Sequence, residues 1–171
     1  MNRLSIRPEA AADRAAIHQV NLAAFDQPLE AELVDRLRPV AEPFISLVAE
    51  IDDEVVGHIL FTSVTVGDGH EPRQAIGLAP MAVIPEHQRS GIGSTLVERG
   101  LEACRTAGHS VVVVLGHPGY YPRFGFERAS RHRIRFEAPV PDEAFMVLEL
   151  VPGALSSVSG IVRYHPEFSR E

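Results

Sequence analysis

Between Ile76 and Leu115 the chain runs through a strand, a glycine-bearing loop, an amphipathic helix and a second strand. That succession limits the possible folds more than any other feature. Ile76 to Ile84 is apolar, interrupted by Gly77 and Pro80 and ended by Pro85. A proline cannot donate to a sheet ladder, so Pro80 predicts a bulge or an unpaired side. Ile92, Leu96, Val97, Leu101 and Cys104 recur at helical spacing, with Glu98, Arg99, Glu102 and Arg105 opposite. Gly108 supplies a C-terminal stop. Val111 to Leu115 is continuous and β-branched, the pattern of a strand buried on both faces.

The remaining segments fit around this unit. Leu4 and Ile6 alternate with polar neighbours as a short first strand, and Pro8 suits the first turn of a helix. Ile17, Val20 and Ala24 follow at helical spacing. Pro28 opens a second amphipathic stretch with Leu29, Leu33, Val34 and Leu37 on one side, stopped by Pro39 and Pro43. Phe44 to Ile51 and Val55 to Val66 read as strands joined by a hairpin turn at Asp52-Asp53-Glu54. Gly67-Asp68-Gly69 breaks the second of these. Further strands are predicted at Phe145 to Val151 and at Ile161 to Tyr164. The sum is a mixed α/β domain covering residues 1–171.

At 171 residues, 45% hydrophobic and 23% charged, the chain has the size and composition of one soluble domain. Its net charge of −7 argues against a nucleic-acid-binding face and fits a cationic or neutral small substrate. No apolar run reaches the roughly 20 residues that span a membrane, and the first residues lack a signal-peptide core. A cytoplasmic location is the simplest expectation. Cys104 stands alone, so no internal disulfide is expected. His18, His70, His87, His109, His132 and His165 show no metal-ligand spacing, and no metal is expected.

The loop at residues 87–95, His-Gln-Arg-Ser-Gly-Ile-Gly-Ser-Thr, carries the chemistry. Backbone N–H groups gathered at a helix start bind anions, usually phosphate. Gly91-Ile-Gly93 begins like a dinucleotide fingerprint, but Leu96 stands at the third glycine position. A polar loop also separates the strand from Gly91. A P-loop is excluded, because no Gly-Lys-Ser/Thr is present. Taken with its strand, the segment Ala82-Val83-Ile84-Pro85-Glu86-His87-Gln88-Arg89-Ser90-Gly91-Ile92-Gly93 resembles motif A of the GCN5-related N-acetyltransferase (GNAT) family. Gln88, Gly91 and Gly93 fall on its defining positions. A second segment, from Gly116 through Tyr120-Tyr121-Pro-Arg-Phe124-Gly125-Phe126-Glu127, resembles the region after the fifth strand of that family. The pattern is similar to a bacterial subgroup, the YhbS-like acetyltransferases, over nearly the whole chain.

The resemblance implies a fold and a set of roles. The fold is a mixed, mostly antiparallel central sheet, splayed at its middle strands and flanked by helices. Acetyl-CoA is the implied cosubstrate, and its acetyl group passes directly to an amine acceptor, a small molecule or peptide. The loop residues Gln88, Arg89, Ser90, Gly91, Ile92, Gly93 and Ser94 are implied to hold the CoA pyrophosphate. Met81, Ala82 and Val83 are implied to contact the pantetheine arm and thioester through their backbone. Tyr121 takes the position of a general acid for the leaving thiolate, with Tyr120 the second choice and Phe124 and Phe126 as packing residues. Dimers are common in the family, so a homodimer is among the expected assemblies.

An alkylammonium must lose a proton before it attacks, and the motif A strand carries no acid between Gln74 and Ile84. Candidate bases are His117, Glu32 and His58, with His117 first; it stands where the subgroup often has an acid. Cys104, on the apolar helix face, reads as a core residue. Pro122 follows Pro118 by four, which removes one helical hydrogen bond and predicts an irregular or late-starting turn around Tyr121. The alternative function is a catalytically weak acyl-CoA-binding sensor of the same fold.

Overall fold

The computed structural model describes residues 3–68 and 71–169; Gly69 and His70 lie outside the described residues. In chain order the elements are β1 (Leu4–Pro8), α1 (Arg14–Phe25), α2 (Leu29–Leu37), β2 (Phe44–Ile51), β3 (Glu54–Gly67) and β4 (Arg73–Val83). There follow α3 (Ile92–Thr106), β5 (Val111–Leu115), β6 (Glu127–Arg128), β7 (Ile134–Phe136), β8 (Phe145–Glu149) and β9 (Gly160–Arg163). One sheet runs β1-β2-β3-β4-β5-β8-β6, with β9 paired to the end of β3 and β7 paired to β9. Among the described residues only β4/β5 and β7/β9 are parallel. The architecture is therefore mixed α/β with a mostly antiparallel sheet, as the sequence predicted.

Local chemistry explains the turns that set the register. Asp52 and Asp53 both hold positive φ, 50° and 68°, between paired Ile51 and Glu54. Two consecutive positive φ values make the tight hairpin that matches strand twist, and Asp tolerates them better than most residues. At the end of α3, Gly108 has φ 95°, its N–H bonds the Arg105 carbonyl, and the His109 N–H bonds that of Cys104. That pair of bonds satisfies carbonyls which a helix end otherwise leaves bare.

The two faces of the sheet carry different helices. On one, Ile92, Leu96, Val97, Leu101 and Cys104 of α3 pack against Ile59, Phe61, Leu78 and Val112. On the other, Ile17 of α1 and Val34 and Leu37 of α2 cover Val48 and Leu60. Farther along that second face, Val64, Ala75 and Val113 meet Ile134, Phe145 and Val162 of the C-terminal strands.

Four expectations need correction. Pro8 ends β1, paired with Leu47, and the helix begins later, after a 3₁₀ turn at Ala11–Asp13. Leu29 is 47% exposed, and Ala31 takes the buried place on α2. The strand at Phe145 stops at Glu149, two residues early. The short β6 and β7 were not foreseen. With two and three residues they carry no measurable alternation and exist because β8 and β9 offer free edges.

Candidate active site: a parted sheet over a helix start

The functional geometry originates at Pro80. Met81 pairs with Ile59 and Leu78 pairs with Phe61, so β4 spends one more residue than β3 across this stretch, a bulge at Ala79-Pro80. Pairing of β4 with β5 ends at the same place, with Leu78 opposite Val114. Beyond it the two strands part. The Ile84 N–H bonds Val56 of β3. Strand alternation then turns the backbone of Ala82 toward β3 and the backbone groups of Met81 and Val83 toward the gap. Of the three residues expected to offer backbone contacts, Met81 has both groups turned that way and Val83 has its N–H. The Val83 carbonyl is already taken by the Gln88 side-chain amide at 2.8 Å. Gln88 thus ties the loop to the strand.

The loop feeds α3 with its donors bare. Gly91 caps the helix with φ 90°, a conformation that costs an L-residue about 1–2 kcal/mol, and an added Cβ would meet nothing within 4 Å. Gly93 is needed for the opposite reason: its Cβ would stand 3.2 Å from the Tyr120 hydroxyl and 3.4 Å from Met81 Cε. Thr95 makes the first helical bond, its N–H reaching the Gly91 carbonyl at 3.0 Å. The N–H groups of Ile92, Gly93 and Ser94 therefore have no backbone acceptor among the described residues. The Ile92 side chain is buried in the core, so only its backbone faces outward. Ser90 does not line the cavity; its hydroxyl donates to the His87 carbonyl at 2.5 Å.

A cavity of about 720 Å³ joins these parts. Its wall includes Ala24 and Phe25 of α1 as well as Gly93 and Ser94 of α3. Because α1 and α3 cover opposite faces of the sheet, the cavity passes through the gap between β4 and β5. Gly116, His117, Tyr120, Tyr121 and Arg123 close it on the β5 side. Arg123 stacks over the Tyr120 ring at 4.6 Å. The turn they stand on is 3₁₀ over Tyr121–Phe124, as Pro122 predicted.

The two tyrosines differ. The Tyr120 hydroxyl lies 3.2 Å from Ser94 Oγ, at the start of α3. The Tyr121 hydroxyl has no hydrogen-bond partner among the described residues. Burial, with a smaller contribution from Tyr120, pushes its pKa up to about 12. His117 is exposed on the cavity wall, and its carbonyl receives the N–H groups of Tyr120 and Tyr121.

Other sequence candidates lie elsewhere. Glu32 is exposed on α2 and off the cavity wall. His58 is wholly buried under α1. The Asn21 amide nitrogen donates to the Ile17 carbonyl and reaches His58 Nδ1 at 3.1 Å. Ser46 Oγ donates to Glu9 at 2.6 Å and so accepts from His58 Nε2 at 3.0 Å. Both ring nitrogens are engaged, and burial depresses the pKa from 6.5 to about 4. Burial raises the Glu9 carboxyl, but the hydrogen bonds from Arg38 and Ser46 outweigh it and hold the group below its ordinary value. His58 is thus a neutral member of a buried polar chain. Cys104 is buried, its thiol pushed up to about 12 by burial, which suits the core position expected. Among the described residues no cluster of three or more His, Cys, Asp or Glu side chains has the arrangement of a metal site. No helix among them is long and apolar enough to cross a membrane.

Phe25 and Arg123 on the cavity wall, and Tyr164 away from it, escaped sequence reasoning. Arg123 was read only as part of a motif, although a cation following two aromatics is a visible signal. Tyr164 left no signal at all. Its ring fills the place of a Gly77 side chain, 2.8 Å from where Cβ would be, and its buried hydroxyl is unpartnered.

A sheet opened in its middle above a bare helix start is an architecture seen in known proteins. The acetyltransferase (GNAT) domain profile matches residues 5–129. YhbS of Escherichia coli strain K12, described as an uncharacterized N-acetyltransferase, is 37% identical over 166 residues, 96% of this chain and 98% of its own. The crystal structure of E. coli YhbS in complex with CoA aligns at a TM-score of 0.91, covering 99% of this chain and 94% of that one. A GNAT family acetyltransferase from Brucella melitensis, solved in complex with acetyl-CoA, is also 37% identical. It aligns at a TM-score of 0.80, with 97% of this chain and 98% of that one covered. The chain belongs to the GNAT family and is an acetyltransferase of that family.

Proposed function

We propose that residues 1–171 form one acyltransferase domain, acting in the cytoplasm, that moves an acetyl group from acetyl-CoA directly to a primary amine. The observation that carries this is the cavity through the sheet, which joins the bare N–H groups of α3 to the Tyr121 hydroxyl. Acetyl-CoA supplies an activated thioester, so the protein needs no nucleophile of its own.

The chain's residues divide the work. The N–H groups of Ile92, Gly93 and Ser94, with Arg89 and Arg123 beside them, bind the pyrophosphate, because a helix start concentrates positive potential there. Gln88 holds this loop in register with β4. The Met81 and Val83 backbones hydrogen-bond the pantetheine arm, and a free N–H beside the thioester oxygen stabilises negative charge on it. Tyr121 donates a hydrogen bond to the leaving sulfur. A phenol near 12 is a poor full proton donor to a thiolate of ordinary pKa about 8.5; the mismatch costs about 5 kcal/mol. Sulfur stabilisation therefore precedes any proton transfer. His117 is the histidine on the wall nearest Tyr121 in sequence and takes the ammonium proton directly or through water.

The test is thiol release from acetyl-CoA against an amine panel, alongside direct measurement of CoA binding. Transfer to at least one amine is expected. CoA binding without transfer to any amine would make the protein a sensor and overturn this reading.

A further inference from the structure

The wall of the cavity changes character across the sheet. On the α3 side it is polar and basic. On the α1 side it is apolar, with Ala24, Phe25 and Ala82, while the Met81 side chain lies on the opposite face of the sheet, toward Gly93 of α3. Among the described residues no carboxylate lines the wall: Arg89 and Arg123 carry its permanent charge, and His87, His117 and the two tyrosines are its other titratable side chains. The chain has 23 acidic residues and a net charge of −7, yet none of the described ones lines the wall. Asp26, next to Phe25, and Glu86, next to His87, are exposed and off the wall. The cationic substrate that net charge favoured therefore has no counter-charge in the place where it must sit.

The physical consequence is a selection on the acceptor. A buried ammonium without a carboxylate is penalised by desolvation, and Arg nearby adds repulsion. A second or third ammonium multiplies both costs. A monoamine keeps them smallest: its one nitrogen gives up its proton to His117 or to water on entry, and an apolar body covers Ala24 and Phe25. Resting on the acetyl-transfer reading above, we propose that the acceptor is a small monoamine carried on an apolar or aromatic body. Polyamines and lysine-rich peptides are disfavoured.

The experiment compares 2-phenylethylamine, spermidine and a lysine-rich peptide as acceptors at one pH, by thiol release, with acetyl-CoA binding measured separately. The expected kcat/KM for 2-phenylethylamine exceeds that for spermidine by about tenfold or more. Equal rates, or a preference for spermidine or the peptide, overturn the acceptor class and leave acetyl transfer standing. Transfer to none of the three while acetyl-CoA binds also overturns it. Failure to bind acetyl-CoA instead overturns the reading beneath. Phe25→Glu puts a carboxylate on the wall at a half-exposed helix end. It should narrow the ratio by about fivefold through a faster spermidine reaction, with acetyl-CoA affinity kept within about twofold. An unchanged ratio in the folded variant overturns the role given to this wall.

Discussion

His58 makes stability depend on pH between about 6.5 and 4, a window that lies mostly above the titration of ordinary carboxylates. Its folded pKa is about 4, and an unfolded histidine titrates near 6.5. Between those values the unfolded chain holds a proton that the folded protein refuses, so acidification favours unfolding. The stabilisation is intact above 6.5 and is lost as pH falls toward 4. The interval of about 2.5 units is worth about 3 kcal/mol in full, of which about 2 kcal/mol is gone by pH 5. Three features enforce it. The ring is wholly buried. Protonated Nδ1 would aim a donor at the Asn21 amide, itself a donor. Arg38, beyond Glu9, opposes a second positive charge, although Glu9 itself favours one. The assay is urea unfolding at pH 7.5 and 5.0 for the natural protein and for His58→Gln, the variant subtracting all other titrating groups. The wild-type protein should lose about 2 kcal/mol more than the variant. Equal losses, or an NMR titration of the His58 ring near 6.5, would refute the reasoning.

Other outcomes follow from the site. Gly91→Ala should cost about 1–2 kcal/mol by strain alone, while Gly91→Glu should weaken CoA binding roughly tenfold beyond Gly91→Ala by setting a carboxylate against the anion site; calorimetric titration of both separates the effects. Tyr121→Phe should lower kcat with little change in CoA affinity, and an unchanged kcat would remove its part in the reaction. Tyr164→Phe deletes a buried hydroxyl without a partner, so thermal unfolding should stay level or shift upward; a lower Tm would show a missing hydrogen bond.

The reach of the sequence was set by the distance over which each feature acts. The loop and α3 were legible because glycine geometry and a 3.6-residue apolar period are local properties. The bulge at Pro80 was legible too, since a missing N–H has the same effect anywhere in a sheet. Leu29 looked like a core residue because periodicity names a face without saying where that face ends. Tyr164 could not be read, because its value lies in Gly77, 87 positions away. The basic cavity wall ran against the net charge of the whole chain. A sum over 171 residues says little about the few that meet in one place.

The parting of β4 from β5 at Leu78 and Val114 amounts to an internal edge. Proteins usually cover, charge or shorten such edges, because unsatisfied strand groups attract partners. Here the edge is shielded from other chains by the rest of the sheet, so only a slender molecule can reach it. On the proposed reading that molecule is the acyl donor, which acts as a surrogate strand. Loading then tightens the fold itself: at a hundredfold excess over Kd it adds about 2.7 kcal/mol against unfolding. On that reading a protein of this design resists heat and proteolysis more as its donor supply rises, with the logarithm of that supply, so its persistence becomes a readout of acetyl-CoA abundance.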